Sequence, residues 1–495
     1  MIAFLPFKGH TTGEYGRPLM KKYTSKDYQY HGQTWASAQA PNGYMFFAHS
    51  KGILQFNGER WRLIRLPDNN LARSLATTDG ARIYAGGFNE VGYIEPDSIG
   101  VYHYQSIAQS RERQFQDVHS IKSNNGYIYF RTSNKILRYN PANDSLAISP
   151  MQGYSRILNF NGNLYVMIFK KGLFKLNDSF FSNRAKPIYE TKDHFFYNAM
   201  SFPGKYSLVF DYKKGFLLYD ISTQKTRKWT NQLEEKFDVN YLYRSTRLKN
   251  GNYAMITGEK GVFILDKQGS IVHCLNKNNF FYENLILNLY EDKQGNLWFN
   301  TNNGVVLARM QSPFTILDQK HGLQGYPNFS FIKKDELSVG TTSGLYTCRF
   351  NELKKPSPHP LQGRFKDITF TGYHITEGSI FLAKGGVTIE LNTLDTILNV
   401  PANCFHQPVY DSSTVLSGSQ SGLSRIYKPD KKWISKQIAG FNKSVTSLFS
   451  LNPGKVWVTL RSGKLILLHL NQSLNTVNRI EETDTSHGIP PNQDM

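Results

Sequence analysis

Eleven times along the chain one short unit recurs: a strand with alternating side chains, a tight turn, and an apolar strand. The copies include "PNGYMFFAHSKGILQF" from Pro41, "NGNLYVMIFKKGLFKL" from Asn161, "NGNYAMITGEKGVFIL" from Asn250 and "EDKQGNLWFNTNNGVVL" from Glu291. Their second turns align at Gly52, Gly92, Lys135, Gly172, Gly215, Gly261, Gly304, Gly344, Gly385, Gly422 and Gly463, a step of about 41 residues. A period near 40 built from strands means propeller blades. Four strands of about 5–6 residues joined by short loops fill that length. Alternation at period two rather than 3.6 excludes helical arrays.

The copy at Glu291 shows the local reading. Leu285, Leu287 and Leu289 alternate with Ile286, Asn288 and Tyr290, as a strand requires. Asp292-Lys293-Gln294-Gly295 is a turn, Asn296 to Thr301 alternates again, and Asn302-Asn303-Gly304 is a second, hairpin-type turn before Val305. Three such strands cannot bury both faces alone, so neighbouring copies must stack.

Composition agrees. Among 495 residues, 29 Tyr and 33 Phe supply flat rings for pleated surfaces, and 39 Gly supply turns. No apolar run reaches the ~18 residues of a membrane helix. The opening "MIAFLPFKGH" breaks its apolar run at Lys8 and does not read as a secretory signal. Cys274, Cys348 and Cys404 lie far apart, forming neither a metal motif nor a disulfide framework, and read as buried small apolar side chains. The formal charge of +20 permits an anionic ligand, acidic lipid or nucleic acid, but the basic residues are scattered without a run or stripe. Nucleic acid is therefore not expected as a partner.

Eleven blades exceed one ring of four to eight. "RPLMKKYTSKDYQYHGQTWASA" from Arg17 and "SPFTILDQKHGLQGYPNFSFI" from Ser312 are alike, and seven copies lie between them. The expected fold is all-β: tandem β-propellers of four-stranded blades, the first seven-bladed and closed, the second incomplete. Residues 1–16 are unassigned, 17–311 form the first ring, 312–480 four blades of the second, and 481–495 the lead-in to a further blade. The chain reads as a fragment. Residues 19–23 are expected to pair with 305–310 and close the first ring without exposed edges.

"EDKQGNLWFNTNNGV" resembles the two-component regulator propeller repeat, roughly D-x-x-G-N-L-W-x-G-T-x-x-G-L. Asp292, Gly295, Asn296, Leu297, Trp298, Thr301 and Gly304 match it; Asn300 departs at the usual Gly and Val305 at the usual Leu. "QTWASAQAPNGYMFFAHSKGILQFNGERWRLIRLP" and "IYAGGFNEVGYIEP" look like the first blades of Bacteroidetes-type sensor regulators of this group. The resemblance implies a periplasmic, non-catalytic sensor, often of carbohydrate. In such proteins paired seven-bladed propellers precede a three-tyrosine domain, a membrane helix and a kinase or LuxR-type output domain, none of which is read in this sequence. It leaves room for a homodimer and ties the chain to a membrane only through a further segment.

Little in the sequence reads as catalysis: there is no G-x-S-x-G, H-E-x-x-H or phosphate-binding glycine loop, no cofactor motif, and no metal spacing among the 13 His. The adjacent pairs Glu234-Glu235 and Glu481-Glu482 read as solvated charge. The second turns carry Lys51, Lys135, Lys171, Lys214 and Lys260, which seven-fold geometry gathers into a basic rim suited to an acidic oligosaccharide. Each exposed Lys–anion pair contributes only about 1 kcal/mol and is screened beyond about 8 Å, so a rim attracts without binding tightly. Asn89 and Glu90, in "GGFNEVGY", replace the usual Lys-Gly turn and join the candidate ligand residues; the plain alternative is a longer turn. A polysaccharide lyase, needing a His or Tyr base with a charge-neutralising Arg or Lys inside the channel, and a protein–protein scaffold are the competing readings.

Overall fold

The computed structural model describes residues 17–77, 82–107, 114–151, 153–182, 184–191, 194–236, 242–258, 260–277, 281, 285–350, 361–376 and 378–483. Residues 1–16, and 484–495 of the expected lead-in 481–495, lie outside them. The chain divides into two compact units, Arg17–Ile316 and Leu317–Met495.

In the first unit seven antiparallel sheets follow one another. Their innermost strands are Thr34–Gln39, Ala72–Thr77, Val118–Asn124, Ser155–Phe160, Phe196–Ser201, Leu242–Arg247 and Ile286–Glu291, which begin blades 1 to 7. Among the described residues blade 4 has three strands, the place of a fourth marked by a bridge from Leu173 to Tyr189. The third strands of blades 1, 3, 4, 5, 6 and 7 start at the aligned turn markers Gly52, Lys135, Gly172, Gly215, Gly261 and Gly304. Glycine is required at Gly304: its φ is +132°, and a Cβ there would sit 2.1 Å from the Tyr23 carbonyl oxygen.

The sheets are apolar on both faces, and each face meets a neighbouring blade. Seven separate buried clusters fill the seven interfaces. Phe46 and Ile83 represent blades 1 and 2. Tyr84 and Phe130 join blades 2 and 3, and Tyr129 and Val166 join 3 and 4. Phe160 and Tyr219 join 4 and 5, Phe210 and Tyr253 join 5 and 6, and Ile256 and Phe299 join 6 and 7. The seventh cluster returns to the start, placing Trp298 and Val305 of blade 7 against Phe47 and Phe56 of blade 1. Fully burying one such side chain contributes roughly 1.5–3 kcal/mol, so the interfaces dominate the unit's stability.

Arg17–Tyr23 becomes the fourth strand of blade 7, pairing antiparallel from Leu19 opposite Arg309 to Tyr23 opposite Val305. This is the expected closure strand. Beyond it, Thr315–Ile316 pairs with Arg17–Pro18, so the unit runs to Ile316 and this short segment belongs to blade 7 rather than opening the next unit.

The second unit contains four four-stranded sheets, beginning at Pro327–Lys333, Phe370–Thr376, Ala402–His406 and Val445–Phe449. Three clusters fill the interfaces between them, represented by Leu345 with Phe370, Phe381 with Val415, and Leu416 with Val458. Glu481 and Glu482 end the outermost strand, Val477–Glu482.

A basic channel as the candidate functional site

The innermost strands of the first unit share an irregularity that periodicity does not disclose. In blades 1, 2, 3, 5, 6 and 7 the pairing slips at the second residue, so Trp35, Arg73, His119, Tyr197, Tyr243 and Leu287 each sit on a bulge. Blade 4 pairs regularly and has Arg156 at that position. A bulge leaves one residue unpaired and re-aims its side chain. All seven of these side chains line a cavity of about 920 Å³ to which every blade contributes, the central channel of the ring. Because each blade repeats the same strand order, the innermost strands all run the same way. Their second residues therefore form one level, just inside the face where the strands begin.

The lining is strongly positive. Among the described residues it includes Arg73, Lys122, Arg131, Arg156, Arg244 and Arg247, and no Asp or Glu. Arg73 lies 4.0 Å from Asp117 outside the lining and 5.2 Å from the Trp35 ring. Arg156 lies over Tyr154 at 4.7 Å and Tyr197 at 5.8 Å. Arg131, 5% exposed, donates from Nε to the Ser120 hydroxyl at 3.4 Å. Arg247 donates to the Ser201 hydroxyl at 3.0 Å. Lys122, Arg131, Arg156 and Arg244 make no salt bridge among the described residues. The buried hydroxyls of Ser74 and Ser155 and that of Ser245, all in the lining, lack a protein partner.

These cations feel one another. Burial, then Arg156 and Arg244, push Arg131 down to about 9, which still leaves it charged at neutral pH. Burial, then Arg156 and Arg73 among the neighbouring charges, lowers Arg244 as well. Lys122 keeps accessible surface because channel space surrounds it, yet its depth in the ring and then Arg244 lower its pKa. Burial followed by Arg131, Arg73, Arg156 and Arg244 pushes His119 down to about 4, so its imidazole is neutral at pH 7. Two like charges about 8 Å apart repel by roughly 2 kcal/mol at an effective dielectric of about 20. Several such pairs without a carboxylate are a local cost that an anion would offset.

None of the candidate ligand residues named from the sequence lines the channel. Lys51, Lys171, Lys214 and Lys260 are exposed and Lys135 half-buried, all at turns between second and third strands. Those turns sit on the face where the innermost strands begin: the Ser50 amide donates to the Gln33 carbonyl and the Phe169 amide to that of Tyr154. Asn89 and Glu90 are occupied within the fold. Asn89, at φ +52°, accepts on Oδ1 from the amides of Phe115 (2.9 Å) and Gln116 (2.6 Å), tying blade 2 to the approach of blade 3. Glu90, 1% exposed, accepts on Oε1 from Tyr104 (2.8 Å) and Ser106 (2.6 Å).

The channel arginines carried a faint signal. Arg131 and Asn300 both stand one residue before the threonine of the second turn, where the repeat usually has Gly. Gly340 keeps that position in the second unit, where a Cβ would lie 2.2 Å from the Phe329 ring. Asn300 uses the departure to accept from the Ser37 hydroxyl at 2.8 Å across the blade 7–blade 1 interface. Arg131 uses it to reach the channel.

Residues 283–303 match the family described as Two component regulator propeller. The chain carries the two component regulator propeller repeat. The chain is similar in fold to the extracellular domain of a hybrid two component system from B. thetaiotaomicron, with 16% identity and a TM-score of 0.68 over 96% of this chain and 67% of that one. The extracellular domain of a one component system from B. thetaiotaomicron matches at 14% identity and a TM-score of 0.47, over 95% of this chain and 67% of that one. Virginiamycin B lyase from Staphylococcus aureus matches at 10% and 0.44, over 60% and 99%. No curated protein matches the sequence of this chain. Among its described residues no helix is long and apolar enough to cross a membrane.

Proposed function

We propose that the seven-bladed unit is the ligand-recognition part of an extracytoplasmic, periplasmic sensor of the two-component or LuxR-type class, and that its ligand occupies the channel. The observation that carries this reading is the bulge repeated in six blades, which with Arg156 of blade 4 brings one side chain per blade into a common space. Trp35, Tyr197 and Tyr243 among them are the aromatic platforms that sugar rings use. The site binds rather than transforms, and the signal follows from ligand favouring one conformational state over another. The turn lysines stand outside the cavity on its entry face, where they steer an anion inward rather than hold it.

The test is a thermal-shift and fluorescence screen of neutral and acidic oligosaccharides against the whole chain. A saturable shift weakened by Trp35→Ala and Tyr197→Ala supports the reading. Ligand shifts indifferent to both substitutions would remove the channel from it.

A second reading has its own observation. A neutral His119 among arginines is the pairing that elimination from a uronate needs, with imidazole taking the proton next to a carboxylate held by guanidinium. Accumulation of unsaturated product from polygalacturonate, abolished in His119→Ala, would replace the sensor reading with a lyase.

A further inference from the structure

Resting on the channel as the binding site, we infer that its ligand is a polyanion with negative groups at two levels along the ring axis. The upper level is made by Arg156 and Arg244, at the second and third residues of their strands, with Arg131 opposite Ser120 beside them. The lower level is made by Lys122 and Arg247, each three residues further along its strand from His119 and Arg244. From the level of Ser120 and Arg244, ~3.3 Å per residue sets Lys122 about 7 Å and Arg247 about 10 Å further along the axis. One negative charge cannot offset four cations, Lys122, Arg131, Arg156 and Arg244, that have no carboxylate partner among the described residues.

The upper level is equipped for oxyanions. Planar guanidinium groups meet carboxylate, sulfate or phosphate with two parallel hydrogen bonds. Arg156 is pre-oriented by Tyr154 and Tyr197 on its faces. The hydroxyls of Ser74, Ser155 and Ser245, on residues of the same lining, are buried without a protein partner. The shared chemistry is therefore two or more oxyanions on one elongated molecule. A chain of acidic sugars and a polyphosphate both carry it.

Titration calorimetry on the whole chain with trigalacturonate, inorganic tripolyphosphate and maltotriose separates the cases. We expect one-to-one binding of trigalacturonate, tripolyphosphate or both, and none of maltotriose. Arg156→Ala and Arg244→Ala should each weaken it at least tenfold, and Lys122→Ala by less. Arg156→Lys, which keeps the charge but loses the fork, should recover part of the loss, and unchanged circular dichroism keeps the variants comparable. Binding of trigalacturonate alone identifies an acidic sugar, and of tripolyphosphate alone a phosphate chain. Maltotriose binding as tightly as either, and lost in the same variants, would overturn the polyanion inference while leaving the channel as the ligand site. Failure of both anions to bind, or binding untouched by Arg156→Ala and Arg244→Ala, would overturn it as well; in the latter case the channel itself would also be displaced as the site.

Discussion

Thr301, near the end of the first unit, donates its amide N–H to the hydroxyl of Thr34 at 3.2 Å, and that hydroxyl donates in turn to the Gly304 carbonyl at 2.8 Å. The two threonines are 267 residues apart in the chain and both fully buried. Replacing Thr34 by Val keeps the shape but orphans a buried amide, which costs about 1–3 kcal/mol. Thr34→Val should therefore lower the denaturant midpoint of the first unit by that amount. Unchanged unfolding would show that the contact between blades 7 and 1 contributes little.

Asn89 holds two amides of the approach to blade 3 from a left-handed backbone position that Asn tolerates better than most residues. Asn89→Ala loses both bonds and should cost roughly 2 kcal/mol. Glu90→Gln, which keeps one acceptor oxygen for Tyr104 and Ser106, should cost less. Neither should alter ligand affinity once folding is matched. An affinity loss in folded Asn89→Ala, measured by calorimetry, would return this turn to the binding site.

His119 sets a pH dependence whose sign is fixed. Its pKa is depressed from 6.5 to about 4 by burial and then by Arg131, Arg73, Arg156 and Arg244, so the folded state favours the neutral ring. The unfolded chain binds the extra proton first, and stability present above pH 6.5 is lost as pH falls towards 4. His119→Asn should flatten part of that slope in chemical denaturation at pH 4 to 7. An anion in the channel opposes the arginines and raises the His119 pKa, so polyanion affinity should increase as pH falls over the same range. Affinity independent of pH from 4 to 7 would contradict this coupling.

Steering by the rim is a kinetic matter. The triple charge reversal Lys171→Glu, Lys214→Glu and Lys260→Glu should slow association several-fold at low salt and change dissociation little. Stopped-flow measurements at two ionic strengths check it. A large rise in the dissociation rate would instead make these lysines direct ligands.

The blades were legible because their signals are local. Gly304 marks a hairpin that needs positive φ, and Trp298 and Phe299 mark a strand buried on both faces. The pairing of Leu19 with Arg309 could be anticipated from the likeness of two distant segments. The channel was not legible. Arg73, Arg156 and Arg244 read as polar positions in alternating strands, and alternation assigns them to a face without saying that seven such faces converge. Asn89 and Glu90 looked like exposed turn residues because nothing local shows that Phe115, Gln116, Tyr104 and Ser106 come to meet them.

The amino-acid order by itself determined the repeated four-stranded unit, the length of each step and the strand that joins the ring's ends. Hydrogen-bonded turns and alternating burial act over a few residues, and those few residues are adjacent in the chain. Only the tertiary structure decided where the charge collects. Closing seven blades brings Arg131, Arg156 and Arg244, separated by up to 113 positions, around one space. Electrostatic potential depends on distance through space, which only the closed ring supplies.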